Sequence, residues 1–173
     1  MSHIGLGKLT SIILVAVSVF AISVSGAPTC ASCSSDAILI ATELQVLGYR
    51  CDFQPVSGAR GFRCQGRMSV YPQPINFFIA PSFERTQPVT IAYHFHGWWQ
   101  NPRVTPFDGE EGDFGQFTAA SGTNLILIVP ESLGRNDTYN ENLNTADKMN
   151  ALLSEIESVL RRVGIAAPAQ KLL

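Results

Sequence analysis

The 173-residue sequence predicts an α/β fold: a parallel sheet with flanking helices, preceded by a small disulfide-bound helix and hairpin. Three observations predict it. Short apolar runs at 75–80, 89–95 and 125–129 are rich in β-branched and aromatic residues, as strands are. An amphipathic helical pattern at 146–163 follows the third run. All four cysteines gather early in the chain, at Cys30, Cys33, Cys51 and Cys64.

Residues 1–26 read as a secretory signal peptide. Lys8 supplies the positive charge, residues 9–24 are mostly apolar, and Val24-Ser25-Gly26 offers small residues for cleavage before Ala27. The run is at the short end for a membrane span, and Ser11, Ser18, Ser23 and Ser25 interrupt it. A secreted protein without a stable membrane anchor is expected, extracellular or periplasmic. Without Lys8, eleven basic residues face fourteen acidic ones, so the mature net charge is −3. That balance gives no reason to expect a nucleic-acid partner.

An exported chain with an even number of cysteines points to two disulfides, for which three connectivities exist. Cys51 and Cys64 flank a turn at 56–59 and can face each other across a hairpin, which leaves Cys30 and Cys33 as a tight local bridge. The alternatives are a thiolate metal site and a thioredoxin-like Cys-x-x-Cys. Export argues against the first, and the lack of a preceding strand against the second.

Ser34-Ser35-Asp36 can cap a helix that reaches Leu47 and stops at Gly48. A hairpin is expected near 51–54 and 62–68. Pro72 and Pro74 then separate a cysteine-containing segment, 27–70, from a core at 71–173. The run at 125–129 shows no polar alternation, so both of its faces should be buried. Residues 101–113 and 131–144 read as loops and 114–121 as a short helix. For the helix at 146–163, Thr145 is the expected N-cap and Gly164 the stop. Met149, Leu152, Leu153, Ile156, Val159, Leu160 and Val163 make its apolar stripe, and Lys171-Leu172-Leu173 begins another strand.

The stretch from Val89 to Trp99 is the most informative for function. A buried strand runs into His94-Phe95-His96-Gly97-Trp98-Trp99, where glycine permits a sharp turn. Together with 75–81 and 125–131 it resembles the α/β-hydrolase superfamily, specifically secreted esterases similar to polyhydroxybutyrate depolymerases and feruloyl esterases. The segment 75–81 is similar to a strand that ends there in a tyrosine-x-proline turn, 89–99 to the third strand with its His-Gly oxyanion loop, and 125–131 to a fourth strand ending in Val-Pro. The helix at 146–163 is similar to the one before the nucleophile strand. The likeness covers about residues 75–173, and 27–70 has no counterpart in it.

The resemblance implies that the backbone N–H groups of Gly97 and Trp98 face a developing oxyanion, with His96 supporting their loop. It implies no cofactor, and a small-molecule or polymer ester as substrate once the site is complete. The family's nucleophile sits in a Gly-x-Ser-x-Gly elbow, followed in order by the acid and the histidine of the triad. No such elbow occurs in this sequence, and no residue here can be assigned a triad role. The chain is therefore expected to be the first, inactive half of such an enzyme. The strand at 89–95 would then lie on an exposed sheet edge, open to self-association.

Two other functions compete. A secreted binding module would keep Trp98 and Trp99 as a stacking surface. A metal-dependent hydrolase would use His94 and His96, which share one side of a strand, with a third ligand from Asp108, Glu110, Glu111 or Asp113.

Overall fold

The computed structural model describes residues 30–31, 33–56, 59–95, 124–131, 139–165 and 170–172. In chain order these form α1 (Ser35–Val46), β1 (Arg50–Val56), β2 (Ala59–Arg67), β3 (Pro74–Ile79), β4 (Thr90–Tyr93), β5 (Leu125–Pro130), α2 (Asn140–Leu143), α3 (Ala146–Arg162) and β6 (Gln170–Leu172). The expected helix at 114–121 lies outside the described residues. The short helix α2 arises within what the sequence pattern suggested was a loop.

Both long helices start and stop where side-chain chemistry dictates. The Ser34 hydroxyl accepts from Ala37 N at 3.0 Å, and Thr145 Oγ1 accepts from Lys148 N at 3.3 Å. Each satisfies an amide that has no partner within the helix. At the other ends Gly48 (φ 91°) and Gly164 (φ 81°) take the left-handed conformation. Tyr49 N then reaches Leu44 O and Ile165 N reaches Leu160 O, both at 2.9 Å, closing the helices with the same two-bond motif.

One sheet holds all six strands, in the order β1-β2-β3-β5-β4-β6. It is mixed rather than parallel. The strands β1, β2, β3 and β5 pair antiparallel in succession, whereas β4 is parallel to both β5 and β6. Short turns let the first three strands run back and forth, whereas parallel neighbours require a long crossover such as the one that carries α3. The hairpin is continuous with the rest of the sheet, because β2 pairs with β3 from Phe62↔Ile79 to Arg67↔Pro74.

The edge expected at 89–95 is also corrected. The strand β4 is interior, with Thr90, Ile91 and Ala92 registered against Gln170, Lys171 and Leu172 of β6. The start of a strand that was legible near the C-terminus covers it.

Cross-strand registers assign the two faces. Phe62, Cys64, Ile75, Phe77, Ile79, Ile91, Tyr93, Ile126 and Ile128 belong to one cluster with Ile40 and Leu44 of α1 and Leu152, Ile156 and Leu160 of α3. This is the main core. The opposite face carries a smaller cluster of Phe78, Leu127 and Val129, flanked by Ala92. All six residues of β5 are buried, as expected of a strand covered on both sides.

The disulfides are Cys51–Cys64 and Cys30–Cys33. Cys51 and Cys64 are directly opposed in the β1–β2 register, with Cα atoms 4.0 Å apart. This is the pairing the hairpin suggested. Among the described residues no helix is long and apolar enough to cross a membrane.

The loop-entropy argument ranks the two bridges. Replacing Cys51 and Cys64 together with alanine should cost about 3 kcal/mol, and the shorter Cys30–Cys33 loop about 2 kcal/mol. Urea unfolding of the two double variants measures this, and a reversed order would refute the loop-length account.

Candidate functional site

In open α/β sheets, ligands sit beyond the carboxyl ends of the parallel strands. Here that rim is formed by the ends of β4, β5 and β6. Because β3 runs antiparallel to β5, and β2 to β3, the rim continues through Pro74, at the start of β3, and Arg67, at the end of β2. It reaches Arg50, at the start of β1, one step below.

Of the residues singled out by sequence, His94 is described, and it leaves β4 at this rim. Its N–H donates to Ile128 O at 2.9 Å, which carries the β4–β5 ladder one residue beyond Tyr93. Phe95 follows, half-buried, with its ring edge-on to Tyr139 at 5.3 Å between centroids. Tyr139 in turn donates its hydroxyl to Pro130 O at 2.9 Å. The ends of β4 and β5 are thus tied together immediately before the expected oxyanion turn. His96, Gly97, Trp98 and Trp99 lie outside the described residues, as do Asp108, Glu110, Glu111 and Asp113. Among the described residues no three His, Cys, Asp or Glu side chains come together as metal ligands.

Sequence reasoning missed a buried polar network at the same rim. Glu131, the residue after β5, is only 4% exposed. Its Oε1 accepts from Gln65 Nε2 at 2.5 Å and from Asn76 Nδ2 at 2.9 Å, and Arg63 Nη2 stands 3.7 Å away. Arg63 Nε also donates to Asn76 Oδ1 at 2.9 Å. The backbone is held equally well: Glu131 N donates to Pro74 O at 2.9 Å, and Glu131 O accepts from the Tyr71 hydroxyl at 2.5 Å. A charge removed from water is tolerated only when paired and hydrogen-bonded, and this one is both. With Oε1 committed to donors from β2 and β3, the carboxylate acts as a positioning group. It fixes where the chain leaves β5.

The available signal was faint. Asn76 interrupts an otherwise apolar strand, and Glu131 directly follows an apolar run. Neither feature reveals that Arg63 and Gln65 arrive from a different strand.

Tyr93 behaves differently. It is 6% exposed, and its hydroxyl has no hydrogen-bond partner among the described residues. Burial, with the Glu157 carboxylate adding to it, pushes the phenol from 10.0 up to about 12.

Comparisons with protein-family models, curated proteins and solved structures found no match.

Two outcomes follow from this geometry. Glu131→Ala removes the carboxylate beside the half-buried Arg63 and the acceptor that Gln65 and Asn76 share, and should cost about 3 kcal/mol by urea unfolding. A loss under about 1 kcal/mol, no more than an exposed ion pair, would show that the network is not a structural anchor. The raised phenol pKa of Tyr93 favours the protonated form in the folded state. Its contribution is therefore complete below about pH 10 and is lost as pH rises through about 12. Tyr93→Phe should match or exceed the parent's melting temperature at neutral pH, because it removes a buried hydroxyl that has no partner among the described residues. It should also lessen the decline in melting temperature between those pH values.

Proposed function

We propose that this chain supplies the N-terminal half of a secreted serine esterase of the α/β-hydrolase type: the sheet and oxyanion strand, with the nucleophile on residues beyond Leu173. Strand order is the observation that carries this reading. In that superfamily the oxyanion strand lies between the Val-Pro strand and the nucleophile strand. Here β4 lies between β5, which ends in Val129-Pro130, and β6.

The parallel pairing of β4 with both β5 and β6 adds support, because it sets the carboxyl ends of the three strands side by side on one rim. The two disulfides favour an oxidising compartment and so support the export reading of residues 1–26. On this reading Gly97 and Trp98 supply backbone donors of the oxyanion hole, and the amide after the nucleophile supplies a further one. His96 holds the turn. Trp98 and Trp99 are the residues this reading offers as a stacking surface for the substrate. The chain as given does not turn over an ester, because no covalent acyl transfer occurs without the serine.

The reading frame downstream of the Leu173 codon provides the test. It should continue β6 into Gly-x-Ser-x-Gly. The extended protein should react with a fluorophosphonate probe and release nitrophenol from a p-nitrophenyl ester, whereas the 173-residue chain should do neither. A downstream frame without the elbow, or probe labelling of the 173-residue chain itself, would overturn the proposal.

A further inference from the structure

We infer that the arginine-bearing groove at the β1–β2 end of the rim is a remote binding subsite for a carboxylate-bearing polymer, an inference that rests on the esterase reading and names its substrate class. The groove opens where α1 gives way to β1 and has a volume of about 450 Å³. Gly48, Tyr49, Arg50, Gln65, Gly66 and Arg67 line it. A second depression of about 210 Å³ shares Arg50 and Gln65 and adds Asp52 and Arg63, so the two adjoin.

Local sequence shapes the wall. A Cβ on Gly66 would meet the Tyr49 ring at 2.2 Å, so only glycine lets that ring pack against the β2 backbone. The ring is also held edge-on to Phe77, and its hydroxyl lies 3.7 Å from Met68 Sδ.

The register places three guanidinium groups on one face. Arg50 is opposite Gln65, while Arg63 and Arg67 lie two residues to either side of Gln65, about 7 Å along the strand each way. Arg63 is committed to Asn76 and Glu131. Arg50 contacts Asp52 at 3.1 Å, but both side chains are at least half exposed, so the pair is weak and exchangeable. Arg67 makes no ion pair with any described residue. Arg50 and Arg67 are therefore the cations available to a ligand, on a chain whose net charge is negative. A planar guanidinium matches a carboxylate with two parallel hydrogen bonds.

Position argues for a polymer. The groove lies on the same rim as the end of β4, yet β2 and β1 are three and four strands away, about 14 and 19 Å. One small ester cannot reach both places; an extended chain can. Ester hydrolysis consumes one water and yields a carboxylate, an alcohol and a proton. A polymer whose side-chain carboxyl groups are esterified keeps the carboxylate and releases the alcohol, so it becomes anionic wherever an ester has already been hydrolysed. The groove would retain that processed stretch while the next ester meets the oxyanion loop.

Calorimetric titration of the 173-residue protein with a polygalacturonate oligomer tests this, with a neutral gluco-oligomer and dextran sulfate as comparison probes. The polyuronate should bind, more weakly as salt rises, and the neutral oligomer should not. Arg50→Gln and Arg67→Gln should each weaken binding roughly tenfold without changing the melting temperature, and Arg67→Lys should recover only part of the loss. Three results would overturn the inference: undiminished affinity in the double glutamine variant, equally tight binding of the neutral oligomer, or binding of dextran sulfate without binding of polyuronate. Because the titration needs no nucleophile, its failure is separable from failure of the esterase reading. Polyuronate binding alongside a downstream frame that lacks the elbow would sink the esterase alone. A labelled extension that ignores polyuronate would sink the groove alone.

Discussion

The burial of β5 on both faces is the constraint on which the molecule depends. Leu125-Ile126-Leu127-Ile128-Val129-Pro130 offers no polar side chain, so it cannot lie at a water-exposed surface without losing the gain from apolar burial. It must have a neighbour on each side and cover above and below. The antiparallel β3 takes one side and the parallel β4 the other. The helices α1 and α3 cover one face, bringing Ile40, Leu44, Leu152, Ile156 and Leu160 into the same core as Ile126 and Ile128. The change of strand direction on either side of β5 is what makes the rim asymmetric.

Where β5 ends, the chemistry changes from apolar to polar within one residue. Val129 is wholly buried in the smaller cluster, and Glu131 is buried as an acid. The transition is sustained by β2 and β3, which send Gln65, Arg63 and Asn76 across the sheet, and by the tyrosines 71 and 139, which bind the adjacent carbonyls. A second carboxylate plays a comparable role at the same end of the sheet: Glu155 of α3 accepts from Ser69 N at 2.7 Å and Val70 N at 3.1 Å. That bond holds the β2–β3 turn against the helix. Acidic side chains thus organise irregular backbone at two points along one end of the sheet.

Much of this was legible in the sequence, for local reasons. Ser34 and Thr145 read as caps, and Gly48 and Gly164 as stops, because each role depends on a few neighbouring residues and on one hydroxyl or one missing Cβ. The opposition of Cys51 and Cys64 followed from the turn between them. The mixed direction of the sheet was less accessible, since an apolar strand looks the same whichever way its neighbour runs. Glu131 was illegible for a stronger reason. An acid after a strand ordinarily meets water; here β3 brings it an asparagine, and the placement of β2 beside β3 brings it an arginine and a glutamine. The oxyanion turn expected after β4 was read from His96-Gly97 following a strand and from the order of the three apolar segments, and it lies outside the described residues. What the structure adds is the strand order leading into it.

The antiparallel half of the sheet has a temporal meaning. The strands β1, β2 and β3 are contiguous in sequence and joined by short turns, so their ladder closes loops of small entropy and is complete once residue 79 has been synthesised. The strand β5, by contrast, must find β3 across more than forty intervening residues, and β6 must find β4 across a still longer stretch. During vectorial synthesis the N-terminal ladder is thus ready as a template before the two-sided apolar strand emerges. The Cys51–Cys64 bond is able to set that template's register in advance, so that the stickiest segment of the chain meets an edge already in its final alignment.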